Sequence, residues 1–272
     1  MAVLLRHASE NLKHTYLPQI AAGSLRLQAF AVTEPNAGSE TTRIETTAVR
    51  NGDKYIINGS KIFISRVEQS DMMLILARTT PYDEVADKTT GLSLFLVDLR
   101  RTRDRMNVHP LRVSMNNQTN SVEFVDLEVS ADHMIGEEGN GFRCVIDSWN
   151  AERILIASEC IGDGRWFIDR AVRRANERVV FGKSIGANQG VQFPIASAYA
   201  HIEAADLIRL KAAKKFDTGD PCGPEANMAK LLASESSWEA ANVCLDTFGG
   251  YGFLAEFVVE RKLRETRLYT VA

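Results

Sequence analysis

The sequence predicts an α+β chain: a middle β-barrel over about 25–136 followed by an incomplete helical bundle over 137–272, with a helical remnant at 1–24. Three observations carry this. Short alternating apolar runs separated by turn residues fill 25–135, as in small barrels and sandwiches. Beyond the glycine-rich stretch Gly136-Glu-Glu-Gly-Asn-Gly141 the apolar period becomes helical and stays so. The composition, 272 residues with 45% apolar and 25% charged content, is that of a chain able to bury a sizeable core.

In chain order, Leu4, Leu5, Ala8, Leu12 and Leu17 lie at three- and four-residue steps, which predicts one short amphipathic helix ended by Pro18. Strands are predicted at 27–32, 42–49, 55–57, 61–65, 72–77, 92–97 and 121–129, with an Asn58-Gly59 turn between the third and fourth. Three long helices follow at about 142–178, 190–217 and 223–248, broken by Phe181-Gly182-Lys183 and Gly219-Asp220-Pro221. The stretch 253–272 reads as the start of a fourth, its apolar pattern still running at the last residue.

Charge and composition exclude several function classes. Lys plus Arg number 32 against 35 Asp plus Glu, and the basic residues are spread along the chain, so no nucleic-acid face is predicted. The strongest apolar run, 72–77, falls far short of the ~18 residues that a spanning helix needs. The first residues lack a signal-peptide core, so a soluble protein with no membrane partner is expected, and the cysteine usage points to a cytoplasmic one. Cys144, Cys160, Cys222 and Cys244 form no C-x-x-C pair and are expected to be reduced. The five histidines show no metal-ligand spacing, and no metal is predicted.

Dinucleotide, P-loop and serine-hydrolase motifs are absent from the sequence. Gly162-x-Gly164 and Gly250-x-Gly252 lie in or beside helices, where they serve helix packing or, less simply, a phosphate. The stretch Phe30-Ala-Val-Thr-Glu-Pro-Asn-Ala-Gly-Ser39 ends a strand in a turn of small residues and hydroxyls. Such a turn either holds a flat heterocycle or an anion, or is an ordinary Pro-Asn loop. Phe63 and Ser65 form a second pocket wall, or merely one buried and one solvated face.

Glu152 lies three residues after Trp149 and four before Ile156, which assigns its carboxylate to an apolar helical stripe. Desolvation there would suit a general base; a buried Glu–Arg pair explains the same pattern. Arg153 falls at the stripe's edge, facing either a carboxylate or a phosphate. Arg178-Val-Val-Phe-Gly-Lys183 with Asn188-Gln189 is an anion-binding helix start or a plain connector. Asp246-Thr-Phe-Gly-Gly-Tyr-Gly-Phe253 is a simple C-cap or a close backbone approach to a ligand.

Taken together, Val32-Thr-Glu-Pro-Asn-Ala-Gly-Ser39, Ile57-Asn-Gly-Ser-Lys-Ile-Phe-Ile-Ser65, Glu177-Arg-Val-Val-Phe-Gly-Lys183 and Phe248-Gly-Gly-Tyr-Gly-Phe253, followed by Arg264-Glu-Thr-Arg267, resemble the flavin-dependent acyl-CoA dehydrogenase family over nearly the whole chain. The resemblance implies FAD, with Phe30, Val32, Thr33, Phe63 and Ser65 along the flavin ring and Gly38 and Ser39 reaching toward flavin and thioester. Asn150 and Arg153 match the CoA side, with Ser39 also on the substrate. Arg178, Phe181, Gln189, Asp246, Gly249 and Gly250 resemble the surface that one subunit offers to the adenosine end of a neighbour's FAD, which implies a homodimer or homotetramer.

The resemblance makes Glu152 the base, as in isovaleryl-CoA and long-chain enzymes; Asp163, two to three turns on along the same helix face, is the reserve candidate. The family's other base position falls just past Ala272, so a core fragment is expected, lacking most of the amino-terminal helical domain, the carboxy-terminal end and the backbone donor to the thioester carbonyl. The implied reaction is α,β-dehydrogenation of an acyl-CoA to the trans-2-enoyl-CoA, with electron transfer flavoprotein as acceptor. An acyl-CoA oxidase and a non-catalytic flavin- or CoA-binding scaffold are the alternatives.

Overall fold

The computed structural model describes residues 1–115 and 117–271. The chain divides into two compact units, Met1–Ser148 and Trp149–Ala272.

The first unit opens on two helices, α1 (Ala2–His7) and α2 (Glu10–Ala21). Ser9 caps α2 by accepting the Leu12 amide at 3.3 Å. Pro18 lies inside α2 and does not end it, contrary to the sequence expectation. Burial of Leu12 and Tyr16 holds the helix through the missing N–H, so tertiary packing overrides the local signal.

Eight strands follow in one sheet: β1 (Leu27–Ala31), β2 (Thr47–Asn51), β3 (Lys54–Ser65), β4 (Met72–Arg78), β5 (Leu92–Asp98), then after the short α3 (Leu99–Thr102) β6 (Met106–Leu111), β7 (Thr119–Ser130) and β8 (Met134–Ile135). Their order is β6-β7-β3-β2-β4-β5-β8, with β1 running parallel against β4. The end strands β6 and β8 do not pair with each other, so the sheet stays open. The predicted closed barrel is corrected to an open sheet: alternation fixes which face is buried, whereas closure depends on long-range pairing that no local pattern encodes.

All residues of β4 and β5 are buried, and the core gathers Ala29, Ala31, Ile57, Ile75, Phe95 and Phe124. The Asn58-Gly59 turn is also corrected. The β2–β3 hairpin turns at Gly52-Asp53, with Gly52 at φ 65°, and β3 runs through Gly59 as a single strand with a register shift against β7. Gly59 is needed there because a Cβ would sit 2.6 Å from Thr46. The strand expected at 42–49 shortens to β2, preceded by a 3-10 turn over Thr41–Arg43.

The second unit holds most of α4 (Gly141–Glu177), then the two-residue strands β9 (Val179–Val180) and β10 (Lys183–Ser184), α5 (Gln189–Asp217), α6 (Gly223–Phe248) and α7 (Val259–Leu268). Small side chains line its interior: Ala157, Cys160, Ala198, Ala226, Ala233 and Ala240 are fully buried. Gly164 lets α4 approach α5, since a Cβ there would sit 2.1 Å from the Ile202 Cδ1. This settles helix packing as the role of Gly164. A buried hydrogen bond of 2.6 Å between the Ser237 and Thr266 hydroxyls ties α6 to α7.

All four cysteines are buried, Cys144, Cys160 and Cys244 as free thiols, and burial pushes the Cys160 and Cys244 thiols up to about 12. Among the described residues no cluster of metal-ligating side chains occurs, and no helix is long and apolar enough to cross a membrane.

Candidate functional site

In the sheet unit, β1 alternates Ala29 and Ala31 into the core with Phe30 on its other face, and Val32 continues the strand end as a nearly buried residue. The 34–37 turn closes on itself through paired Glu34 and Ala37 amide-to-carbonyl bonds of 3.1 Å. Gly38 and Ser39 beyond it are exposed, and the Gly38 carbonyl accepts the Thr41 hydroxyl at 3.1 Å.

The Thr33 carbonyl accepts the Ile62 amide at 2.9 Å, which joins the β1 end to β3. Phe63 on β3 takes φ 61°, in the left-handed region, and the residue is 63% exposed. Neither feature is favourable for an aromatic residue, and such strain concentrates at functional sites. Ser65, half-buried, accepts from the Asn117 amide nitrogen at 3.2 Å.

Beneath this wall lies a charged pair that the sequence reading passed over. Lys61 is fully buried and meets the Glu34 carboxylate at 2.9 Å. Burial is the largest influence on both. It lowers the Lys61 ammonium to about 8 against the opposing pull of Glu34. For Glu34, burial works against ionisation, but Lys61 and bonds from Glu45 and Thr46 hold the carboxyl below its ordinary value. Both residues stand in the quoted motifs, and a charge inside an otherwise strand-like run was the available signal.

In the helical unit, Arg178, Asp246, Gly249 and Gly250 converge on one cavity of about 410 Å³, together with Arg174, Thr247, Phe248 and Tyr251. Gly249 takes φ 59° just after α6, so the chain can turn back along this wall. Arg174, missed from sequence, stands one helical turn before Arg178. Its guanidinium lies 4.6 Å from the Tyr251 ring centre and 5.5 Å from that of Phe248. Its buried Nε has no hydrogen-bond partner among the described residues. Two cations, one carboxylate and aromatic walls fit an anionic, aromatic group such as a nucleotide.

Phe181 and Gln189 are not among the residues lining this cavity. Phe181 sits at φ 52° in the tight β9–β10 turn beside Gly182, wholly exposed, and Gln189 opens α5 on the surface.

Glu152 differs from its expected setting. The buried stripe of α4 runs through Ile154, Ala157, Cys160, Ile161 and Phe167, while Trp149 and Ile156 are only half-buried and Glu152 is accessible. The stripe drawn through the largest apolar residues is therefore corrected: close packing through small side chains selects the other face. No Glu152 ion pair occurs among the described residues, so the buried Glu–Arg reading is not realised. Arg153 instead donates to the Asn150 Oδ1 at 3.2 Å and covers the Trp149 ring. Although Glu152 is exposed as a residue, desolvation of its carboxyl raises its pKa, and Arg153 opposes the rise. Asp163, also raised by burial, is engaged by the Lys262 ammonium and is thus less free to act as a base.

Residues 29–127 match the acyl-CoA dehydrogenase middle domain and residues 139–272 the acyl-CoA dehydrogenase C-terminal domain. An acyl-CoA dehydrogenase of Bacillus subtilis is 34% identical over 266 residues, covering 97% of this chain and 69% of the relative. The chain belongs to the acyl-CoA dehydrogenase family. Another family relative, the caffeyl-CoA reductase-Etf complex subunit CarC of Acetobacterium woodii, is 35% identical over 98% of this chain and 70% of its own length. The solved FAD complex of PigA superposes with a TM-score of 0.92 at 29% identity, covering 99% of this chain and 69% of that one. Family membership agrees with the α+β architecture of sheet and helical bundle.

Proposed function

We propose that this chain carries the chemistry of an FAD-dependent acyl-CoA dehydrogenase, converting an acyl-CoA thioester to its trans-2-enoyl-CoA. The observation that carries the reading is Glu152: the carboxyl of an exposed residue on α4, without a hydrogen-bond partner among the described residues, whose pKa is raised. A carboxylate whose pKa is raised accepts a proton better than an ordinary one. In this reading it removes the α-proton of the thioester, and Asn150 and Arg153 hold the CoA side.

FAD, when bound, supplies the acceptor for the hydrogen that leaves the β-carbon with its electron pair. Phe30, Val32, Thr33, Phe63 and Ser65, with Gly38 and Ser39, are the residues that would hold the ring within the 25–136 domain. The Arg178, Asp246, Gly249 and Gly250 cavity would take the adenosine end, with Phe181 and Gln189 extending that surface. Its orphaned Arg174 Nε is what makes the fit to a phosphate-bearing ligand specific. If the ring and adenosine surfaces come from different copies, the active species is a homo-oligomer.

Electron transfer flavoprotein is the electron acceptor in this reading; the Acetobacterium relative's name places that relative in a complex with Etf. Buried free thiols at Cys144, Cys160 and Cys244 suit a reducing, cytoplasmic compartment. The test is to load the protein with FAD and offer it acyl-CoA thioesters without oxygen. Loss of the oxidised flavin spectrum with a product two mass units lighter is expected. A flavin that stays oxidised with every thioester contradicts the proposal, and stoichiometric peroxide in air points to the oxidase.

A further inference from the structure

We propose that Glu34 and Lys61 are positioning residues whose buried ion pair holds the β1 end and the β3 bulge, and through them Val32, Thr33 and Phe63, in the form that receives the flavin ring. The inference rests on reading those three residues as the flavin wall.

The pair is wired into backbone at every point. The Lys61 Nζ donates to the Val32 carbonyl at 2.8 Å and reaches the Glu34 Oε1 at 2.9 Å. The Glu34 carboxylate also accepts the Glu45 amide at 2.6 Å and the Thr46 amide at 3.0 Å. One ion pair thus fastens three segments: the end of β1, the approach to β2, and β3. The other titratable group that senses Glu34 is Arg78 on β4, which itself donates to the Ile44 carbonyl at 3.1 Å.

Stability alone is a poor account of such a pair. Desolvating two charges offsets most of their attraction, and apolar replacements of similar volume are commonly as stable. What distinguishes this pair is its place. The β3–β7 register shifts between Lys61 and Ile64, and Phe63 sits inside that shift. A bulge re-aims a side chain, and a bulky residue in the left-handed region persists only where its surroundings over-determine it. Lys61 fixes the near side of the bulge. Asn120, fully buried, fixes the far side by donating its Nδ2 to the Ile64 carbonyl at 3.2 Å.

Lys61→Met alone strands a buried carboxylate and is expected to lose the fold. The informative variant is therefore the neutral double change Glu34→Gln with Lys61→Met, compared with Phe63→Ala. Measured on each are the melting temperature, the FAD dissociation constant and the visible circular dichroism of bound flavin. The double variant should melt within a few degrees of the parent, bind FAD at least tenfold more weakly, and show an altered flavin signal. Phe63→Ala should change the same two flavin readouts. A double variant with parental FAD affinity and flavin signal, beside a Phe63→Ala that shifts both, overturns the positioning role alone. A Phe63→Ala indistinguishable from the parent overturns the flavin-wall reading and this inference with it. A double variant that does not fold shows the pair to be a requirement of the fold and also overturns the proposal.

Discussion

The sheet unit and the helical unit present their candidate site residues in opposite ways. In the sheet, a buried ion pair underpins a strained wall, so the exposed Phe63 depends on charges that never reach solvent. In the bundle, side chains as small as Ala and Gly bring helices together, and two polar groups stay without partners among the described residues: the Glu152 carboxyl of an exposed residue and the buried Arg174 Nε. Strain in one unit and unpartnered polar groups in the other are two ways of keeping a site ready for a ligand. Substitutions should therefore uncouple stability from chemistry differently in each.

The largest expected effect falls in the bundle. Glu152→Gln should slow flavin reduction by acyl-CoA at least ~10²-fold, a general-base contribution, with melting unchanged. Because the carboxyl's pKa lies above its ordinary value, the parent rate should rise as pH climbs through that raised pKa. Stopped-flow absorbance without oxygen reads both. Next, Arg178→Ala removes a charged contact worth about 1.5–3 kcal/mol, so FAD should bind roughly tenfold or more weakly by equilibrium dialysis while the sheet stays folded. A monomer by light scattering that keeps a full complement of FAD would refute the shared cofactor surface.

Packing in the bundle predicts a contrast between neighbouring glycines. Gly164→Ala places a methyl against the buried Ile202 and should cost about 1–3 kcal/mol, less the helix propensity gained. Gly162→Ala meets nothing within 4 Å and should gain up to about 1 kcal/mol. Chemical denaturation separates the two.

The smallest effect belongs to the sheet. Lys61 is lowered by burial from 10.5 to about 8, with Glu34 opposing. Between those values the unfolded chain binds a proton that the folded chain does not, so this group makes stability rise with pH across that window. The rise should vanish in the Glu34→Gln, Lys61→Met double variant; an identical pH dependence in both proteins would show that Lys61 is not so perturbed.

How much of this was legible in the sequence also differs between the units. The three long helices expected at 142–178, 190–217 and 223–248 stand at Gly141–Glu177, Gln189–Asp217 and Gly223–Phe248. Over such lengths a 3.6-residue period accumulates, and Gly219 and Pro221 break it sharply. Strands give shorter signals. Gly59 imitates a turn because both turns and close backbone contacts demand glycine, and β8, at two residues, is too brief to show a period. At the site, Arg178, Asp246, Gly249 and Gly250 were named and do share a cavity. Arg174, Glu34 and Lys61 were not, since a charge inside a periodic run reads as a solvated face until its partner across the fold is known. The sequence assigns Glu152 to the wrong face because residue type shows which side chains are apolar, not how closely a neighbouring helix approaches them.

The central claim is that Glu152 takes a proton from the carbon next to the thioester, and isotope exchange tests it without relying on the full reaction. The FAD-loaded protein is incubated in deuterium oxide with an acyl-CoA that it binds, and the recovered thioester is analysed for deuterium at the α-carbon. The account predicts exchange by the parent and by Asp163→Asn, and its loss in Glu152→Gln. Undiminished exchange in Glu152→Gln, or loss confined to Asp163→Asn, would contradict it.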